Sequence, residues 1–128
     1  MDNQRLEELL RERLPNLEGC PGMWRAEVGG LLVVIVSDEA HDRMRVMSPA
    51  APAPDDPDRL RSLLEANYDR ALDAKYAIHE GVLWATFMHR LSWLGSQEID
   101  NALAQVLTLA RNTGTSDSSG GLVFGAGE

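Results

Sequence analysis

Residues 23–47, MWRAEVGGLLVVIVSDEAHDRMRVM, constrain the fold more than any other part of the chain. Apolar and β-branched residues recur there in short runs separated by turn residues, the pattern of three consecutive strands. Gly29-Gly30 leaves room for only a two-residue turn, and such a turn determines register. It pairs Val28 with Leu31, Ala26 with Val33 and Trp24 with Ile35. The polar SDEAHD stretch is a longer turn; closing it at Ser37 and Asp42 sets Ile35 against Met44 and Val33 against Val46. A second hairpin, AKYAIHE and VLWATFMHRL around Glu80-Gly81, pairs Ile78 with Leu83 and Tyr76 with Ala85.

Three helices complete the pattern. Leu6, Leu9, Leu10 and Leu14 recur at helical spacing until Pro15, which places a first helix over about Asp2 to Leu14. PNLEGCPG reads as a loop, and SPAAPAPDDP as an extended, Pro-rich break. Asp56-Pro57 opens a second helix, with Leu60, Leu63, Leu64, Tyr68, Ala71 and Leu72 as its apolar stripe. Ser96 caps a third, lined by Ile99, Leu103, Val106, Leu107 and Ala110. The expected order is α-β-β-β-α-β-β-α, an α+β fold with a mainly antiparallel sheet and the helices on one face. Residues 1–113 are expected to form this single domain, and 114–128, TGTSDSSGGLVFGAGE without its first residue, a flexible Gly/Ser-rich tail. Its triplet Leu122-Val123-Phe124 is the one apolar group in that tail.

Register divides the strand residues between two faces. One is almost wholly apolar and belongs under the helices. The other carries Leu32, Val34, Val36, Met47, Trp84 and Met88, where a solvated antiparallel face would alternate to polar residues. Among them stand four cations, Arg25, Arg43, Arg45 and Lys75. A contiguous apolar patch with interleaved positive charge marks a surface for an apolar, acidic polypeptide.

Composition narrows the function. The net charge of −8 argues against nucleic acid, whose phosphates are bound by Lys and Arg, and against an anionic membrane surface. MDNQRLEELL lacks the basic and apolar regions of a signal peptide, and the run Leu31 to Val36 is too short to span a bilayer, so the chain reads as cytoplasmic. The single cysteine, Cys20, excludes an internal disulfide and a multi-thiolate zinc site. His41 lies in an acidic turn without calcium-loop spacing, and the two histidines of the second hairpin, His79 and His89, stand too far apart to share a metal. No nucleophile elbow or phosphate loop occurs. The expectation is a non-enzymatic domain with no catalytic residue, metal or cofactor. The third helix presents uncharged polar residues outward, Gln97, Asn101, Gln105 and Thr108, which offers a helix surface as a second possible interface.

The segments LLEANYDRALDAKYAIHEGVLWATF and LSWLGSQEIDNALAQVLTLA carry a resemblance. A helix ending in an Asn-containing turn, a hairpin of small and aromatic residues and a final helix together resemble type III secretion chaperones and the related YbjN-like proteins, over about residues 2 to 112. The resemblance implies a small acidic cytosolic homodimer that holds an extended segment of a secreted effector on apolar patches, without chemistry or ATP. YbjN-like relatives imply the alternative, a regulatory or scaffold domain binding a folded partner.

Overall fold

The computed structural model describes residues 1–69 and 72–115. The elements are α1 (Asn3–Arg13), β1 (Glu18–Cys20), β2 (Met23–Val28), β3 (Leu31–Asp38), β4 (Arg43–Pro52), α2 (Pro57–Asp69), β5 (Lys75–His79), β6 (Val82–His89) and α3 (Ser96–Thr115), with a 3-10 turn at Leu91–Trp93. The six strands form one sheet in the order β1-β2-β3-β4-β6-β5, antiparallel at every pairing. The architecture is the α+β arrangement expected from the sequence, with one strand more. The tail expected over 114–128 lies outside the described residues from 116 onward, Leu122-Val123-Phe124 with it, and the backbone of 114 and 115 belongs to α3.

Both tight hairpins have the expected register. Gly29 and Gly30 take φ 57 and 83, the left-handed pair a type I′ turn requires, and Trp24, Ala26 and Val28 face Ile35, Val33 and Leu31. Glu80 and Gly81 repeat the geometry at φ 50 and 80, with Ile78 opposite Leu83 and Tyr76 opposite Ala85.

The β3–β4 connection differs. Ser37 pairs with Met44 and Ile35 with Val46, so the pairing slips by two residues from the expected Ser37–Asp42 closure. The loop keeps its length but moves along the chain, to residues 39–42, where the Asp38 carboxylate accepts the backbone N–H groups of Ala40 and His41 and Asp42 adopts a left-handed φ of 54. A shift of two leaves every side chain on its expected face, because side chains alternate with period two.

Two segments read as irregular are strands. Glu18–Cys20, within the expected PNLEGCPG loop, pairs with β2; the left-handed Gly19 (φ 121) allows it, since a Cβ there would fall 2.3 Å from the Met23 carbonyl oxygen. The Pro-rich segment continues β4 to Pro52, with a bulge between Pro49 and Ala51. Its prolines are tolerated because β3 pairing ends at Val34–Met47, so the missing N–H groups face no ladder, and the Ser48 hydroxyl supplies the next bond, to the Leu32 carbonyl.

One sheet face is buried. Trp24, Ala26, Val33, Ile35, Met44, Val46, Leu83, Ala85 and Phe87 lie in a single cluster with Leu6, Leu9 and Leu10 of α1 and Ile99, Leu103, Val106 and Ala110 of α3. Asp2 caps α1 by accepting Arg5 N–H, and Arg13 joins α1 to α3 through Asp100 at 2.6 Å. Helix α2 departs from expectation. It buries only Leu63 and Ala66, while Leu64, Tyr68 and Leu72 of the expected inward stripe are exposed; Ala71 lies outside the described residues.

The entry to α3 is pinned by Asp42. Its carboxylate accepts Ser92 N–H at 2.6 Å, the Ser92 hydroxyl at 2.7 Å and Arg90 Nε–H at 3.2 Å. These donors, the Ser92 hydroxyl foremost, hold the Asp42 carboxyl below its ordinary value. A depressed folded-state pKa contributes stability that is present above 3.8 and lost as pH falls through the lower folded value. Asp42→Asn should therefore unfold at lower urea than the parent at neutral pH, and the gap between the two midpoints should close as the medium is acidified below that ordinary value.

Candidate partner-binding face

The face of the sheet opposite α1 and α3 carries every residue singled out for partner binding. Cross-strand rows follow from the pairings. One runs Cys20, Met23, Val36, Arg45, Met88; the next runs Glu18, Arg25, Val34, Met47, Thr86, Lys75. Leu32 stands opposite Glu27, and Trp84 lies between Pro49 and Ala77. Val34, Val36, Met47 and Trp84 are half-buried by their neighbours, and Leu32 is exposed. Met23 and Met88 are 59% and 55% exposed, so the patch continues to the β1 edge. Met23 was missed in the sequence reading although it lies two residues before Arg25, and alternation alone assigns it to this face.

The four cations are not equivalent. Arg25 is paired with Glu18 at 3.3 Å. The Lys75 ammonium donates to the carbonyls of Asn67 and Leu72, at 2.9 and 2.8 Å, and so serves the end of α2. Arg43 gives a hydrogen bond to its neighbour's carbonyl, Asp42 O, and neither Arg43 nor Arg45 forms an ion pair among the described residues. A concavity of about 320 Å3 opens between these two arginines and Val36, Met44, Met47 and Met88, with Asp38 also at its wall.

A second apolar surface lies at the opposite end of the sheet. Leu64, Tyr68 and Leu72 are 70%, 91% and 71% exposed, beside exposed Ile78. Leu64 and Ile78 border a concavity of about 280 Å3 between α2 and β5, also lined by Leu63, Tyr76 and Leu83. Helical periodicity identifies such a stripe but not what covers it, which is why the sequence assigned it to the core.

The free edge of β5 is partly closed. The Asn67 side chain accepts Tyr76 N–H at 2.8 Å and donates to Tyr76 O at 3.1 Å, imitating a paired strand. Gln105 Oε1 accepts both Asp73 and Ala74 N–H at 2.9 Å. Gln105 is therefore part of the frame, and Gln97 bonds Asn101 along α3, so three of the four neutral residues on that helix are engaged internally.

The histidines stand apart: His41 bonds Asp38 at 2.7 Å, His79 is opposite Val82, and His89 is opposite Met44 and stacks on Phe87. No group of three or more metal-ligating side chains occurs among the described residues. No helix among them is long and apolar enough to cross a membrane.

No protein-family profile and no curated protein matches the sequence. Solved structures do match the fold. A chain of the HopA1–SchA chaperone–effector complex is 17% identical with a TM-score of 0.63, covering 83% of this chain and 87% of its own length. A chain of the ExsC–ExsE complex is 18% identical with a TM-score of 0.66, over 86% and 92% of the two chains. A chain of the Yersinia pestis type III secretion chaperone SycH complex with a YscM2 fragment is 14% identical with a TM-score of 0.65, over 85% and 96%. The chain thus has a type III secretion chaperone-like fold, as the sequence resemblance implied.

Removing the amide that closes the β5 edge leaves Tyr76 N–H and C=O without their partner. Asn67→Ala should lower unfolding stability by about 1–3 kcal/mol in urea titrations, more than a surface truncation does.

Proposed function

We propose that the protein is a non-enzymatic, chaperone-like binding module that holds an extended segment of another polypeptide on its open sheet face. The observation that carries this reading is the uncovered apolar surface formed by Val34, Val36, Met47, Trp84 and Met88, on a sheet whose other face forms the core with α1 and α3. Monomeric proteins keep large apolar patches for partners. The fold shared with structures described as chaperone–effector complexes supports the same class of role.

The module acts as a homodimer in this reading, through α2. Leu64 and Tyr68 lie on one side of the helix, Leu72 is exposed beyond its end, and Leu64 borders a ready-made apolar groove. Exposed Arg61 and Glu65 flank it, so two antiparallel copies related by a two-fold axis would oppose unlike charges. This arrangement covers α2 and leaves the sheet face for the partner. The alternative, a regulatory domain of YbjN type reading a folded partner through α3, is less well supported, because Gln105 holds the β5 entry.

Two measurements test these statements. A partner identified by co-purification from the source cell and then reconstituted with pure protein should lose about a hundredfold or more in affinity with Val34→Asp or Trp84→Asp, since a carboxylate would be buried unpaired. Unchanged affinity with either variant removes the open face from the reading. In light scattering after gel filtration, the parent should have the mass of a dimer and Leu64→Asp that of a monomer with unaltered circular dichroism; a monomeric parent rejects the α2 interface.

A further inference from the structure

We propose that the end of the open face where Val36, Met47 and Met88 surround Arg45 is a socket for one apolar side chain of an acidic segment, whose carboxylates pair with Arg43 and Arg45. The proposal rests on the open face being the partner site and specifies what the partner must carry.

Charge is the first argument. The chain has 20 acidic residues against 12 Lys and Arg. Five arginines elsewhere find carboxylates, Arg5 with Glu8, Arg11 with Glu7, Arg13 with Asp100, Arg25 with Glu18 and Arg90 with Asp42, whereas Arg61 and Arg111 on the helices form no ion pair among the described residues. Arg43 and Arg45 form no ion pair among the described residues, although both are exposed. Asp38, opposite Arg43 across the strands, has its carboxylate on His41 and on the loop N–H groups. Guanidinium groups left in this state match incoming carboxylates, which they bind in a bidentate fork.

Spacing is the second. Arg43, Arg45 and Met47 are alternate residues of β4, so they stand roughly 6.8 Å apart on one face. An extended segment lying along β4 repeats at the same interval. Carboxylates two residues apart meet the two arginines, and an apolar side chain two residues further enters the concavity of about 320 Å3. The partner motif is then acidic, any, acidic, any, apolar, in either chain direction. Met47 and Met88 are unbranched and polarizable, so the socket accepts apolar side chains of different shape. A nucleic acid offers phosphates but no aliphatic side chain to enter the concavity.

A random linear-peptide phage library, selected on the full chain, tests this. The parent should enrich peptides with the alternating acidic–apolar pattern. A synthetic winner should bind about tenfold more weakly to Arg45→Ala, lose affinity to Met88→Asp and weaken with added salt. The double variant Arg43→Glu, Arg45→Glu should enrich Lys and Arg at the same spacing. Circular dichroism and melting temperature confirm that the variants fold. Failure to enrich any peptide, enrichment without acidic residues, the same selection by the charge-reversed variant, or equal binding of a single-stranded DNA probe through these arginines overturns the socket. Should the natural partner ignore Arg45→Ala and Met88→Asp yet be lost with Trp84→Asp, the socket falls while the open-face function stands. Indifference to all three variants rejects both.

Discussion

The two-residue periodicity of an antiparallel sheet governs everything else in this molecule. Two type I′ turns, at Gly29-Gly30 and Glu80-Gly81, lock two hairpins in register, and β4 joins them through β3 on one side and β6 on the other. A slip of one residue anywhere in this chain of pairings would turn Ile35 or Val46 outward and Arg45 inward. The loop at Asp38–Arg43 does slip relative to the simplest reading, but by two residues, and both faces survive. The same parity that puts Trp24, Ile35, Val46 and Phe87 into the core puts Val34, Met47, Trp84 and Met88 on the opposite surface. The proposed partner surface is thus a direct consequence of how the core is built.

The helices divide unequally. Helices α1 and α3 lie over the buried face, tied together by Arg13 and Asp100. Helix α2 sits at the β5 edge, where it buries Leu63 and Ala66 and closes the strand with the Asn67 amide. An exposed strand edge invites uncontrolled pairing, and side-chain amides that occupy its backbone groups limit this without adding another strand. With α2 displaced to the edge, neither the sheet's second face nor the outer stripe of α2 receives a cover from the described residues. These two apolar surfaces are the basis of the two proposed partners, a second copy and a client segment.

A rigid, preformed sheet suits such a client. Most of the ordering entropy in binding an extended chain is lost by that chain, and a surface already held by a packed core and locked hairpins adds little of its own. In the proposed complex, apolar contact would provide affinity, while Arg43 and Arg45 would discriminate among sequences.

Local sequence determined the helices, both tight hairpins and the face assignment, because turn residues, proline and side-chain alternation act within a few positions of one another. Val34, Trp84 and Met88 were legible as face residues for that reason. Three things depended on tertiary structure. Strand β1 exists because Gly19 can approach Met23 closely, an event invisible in an isolated PNLEGCPG segment. The exposure of Leu64, Tyr68 and Leu72 depends on where α2 docks, which its own periodicity does not encode. Arg25 and Lys75 could not be separated from Arg43 and Arg45 by sequence, since the partners Glu18, Asn67 and Leu72 reach them only after folding. Charge type is a property of the residue; whether the charge is spent is decided by what the fold brings within a few ångströms.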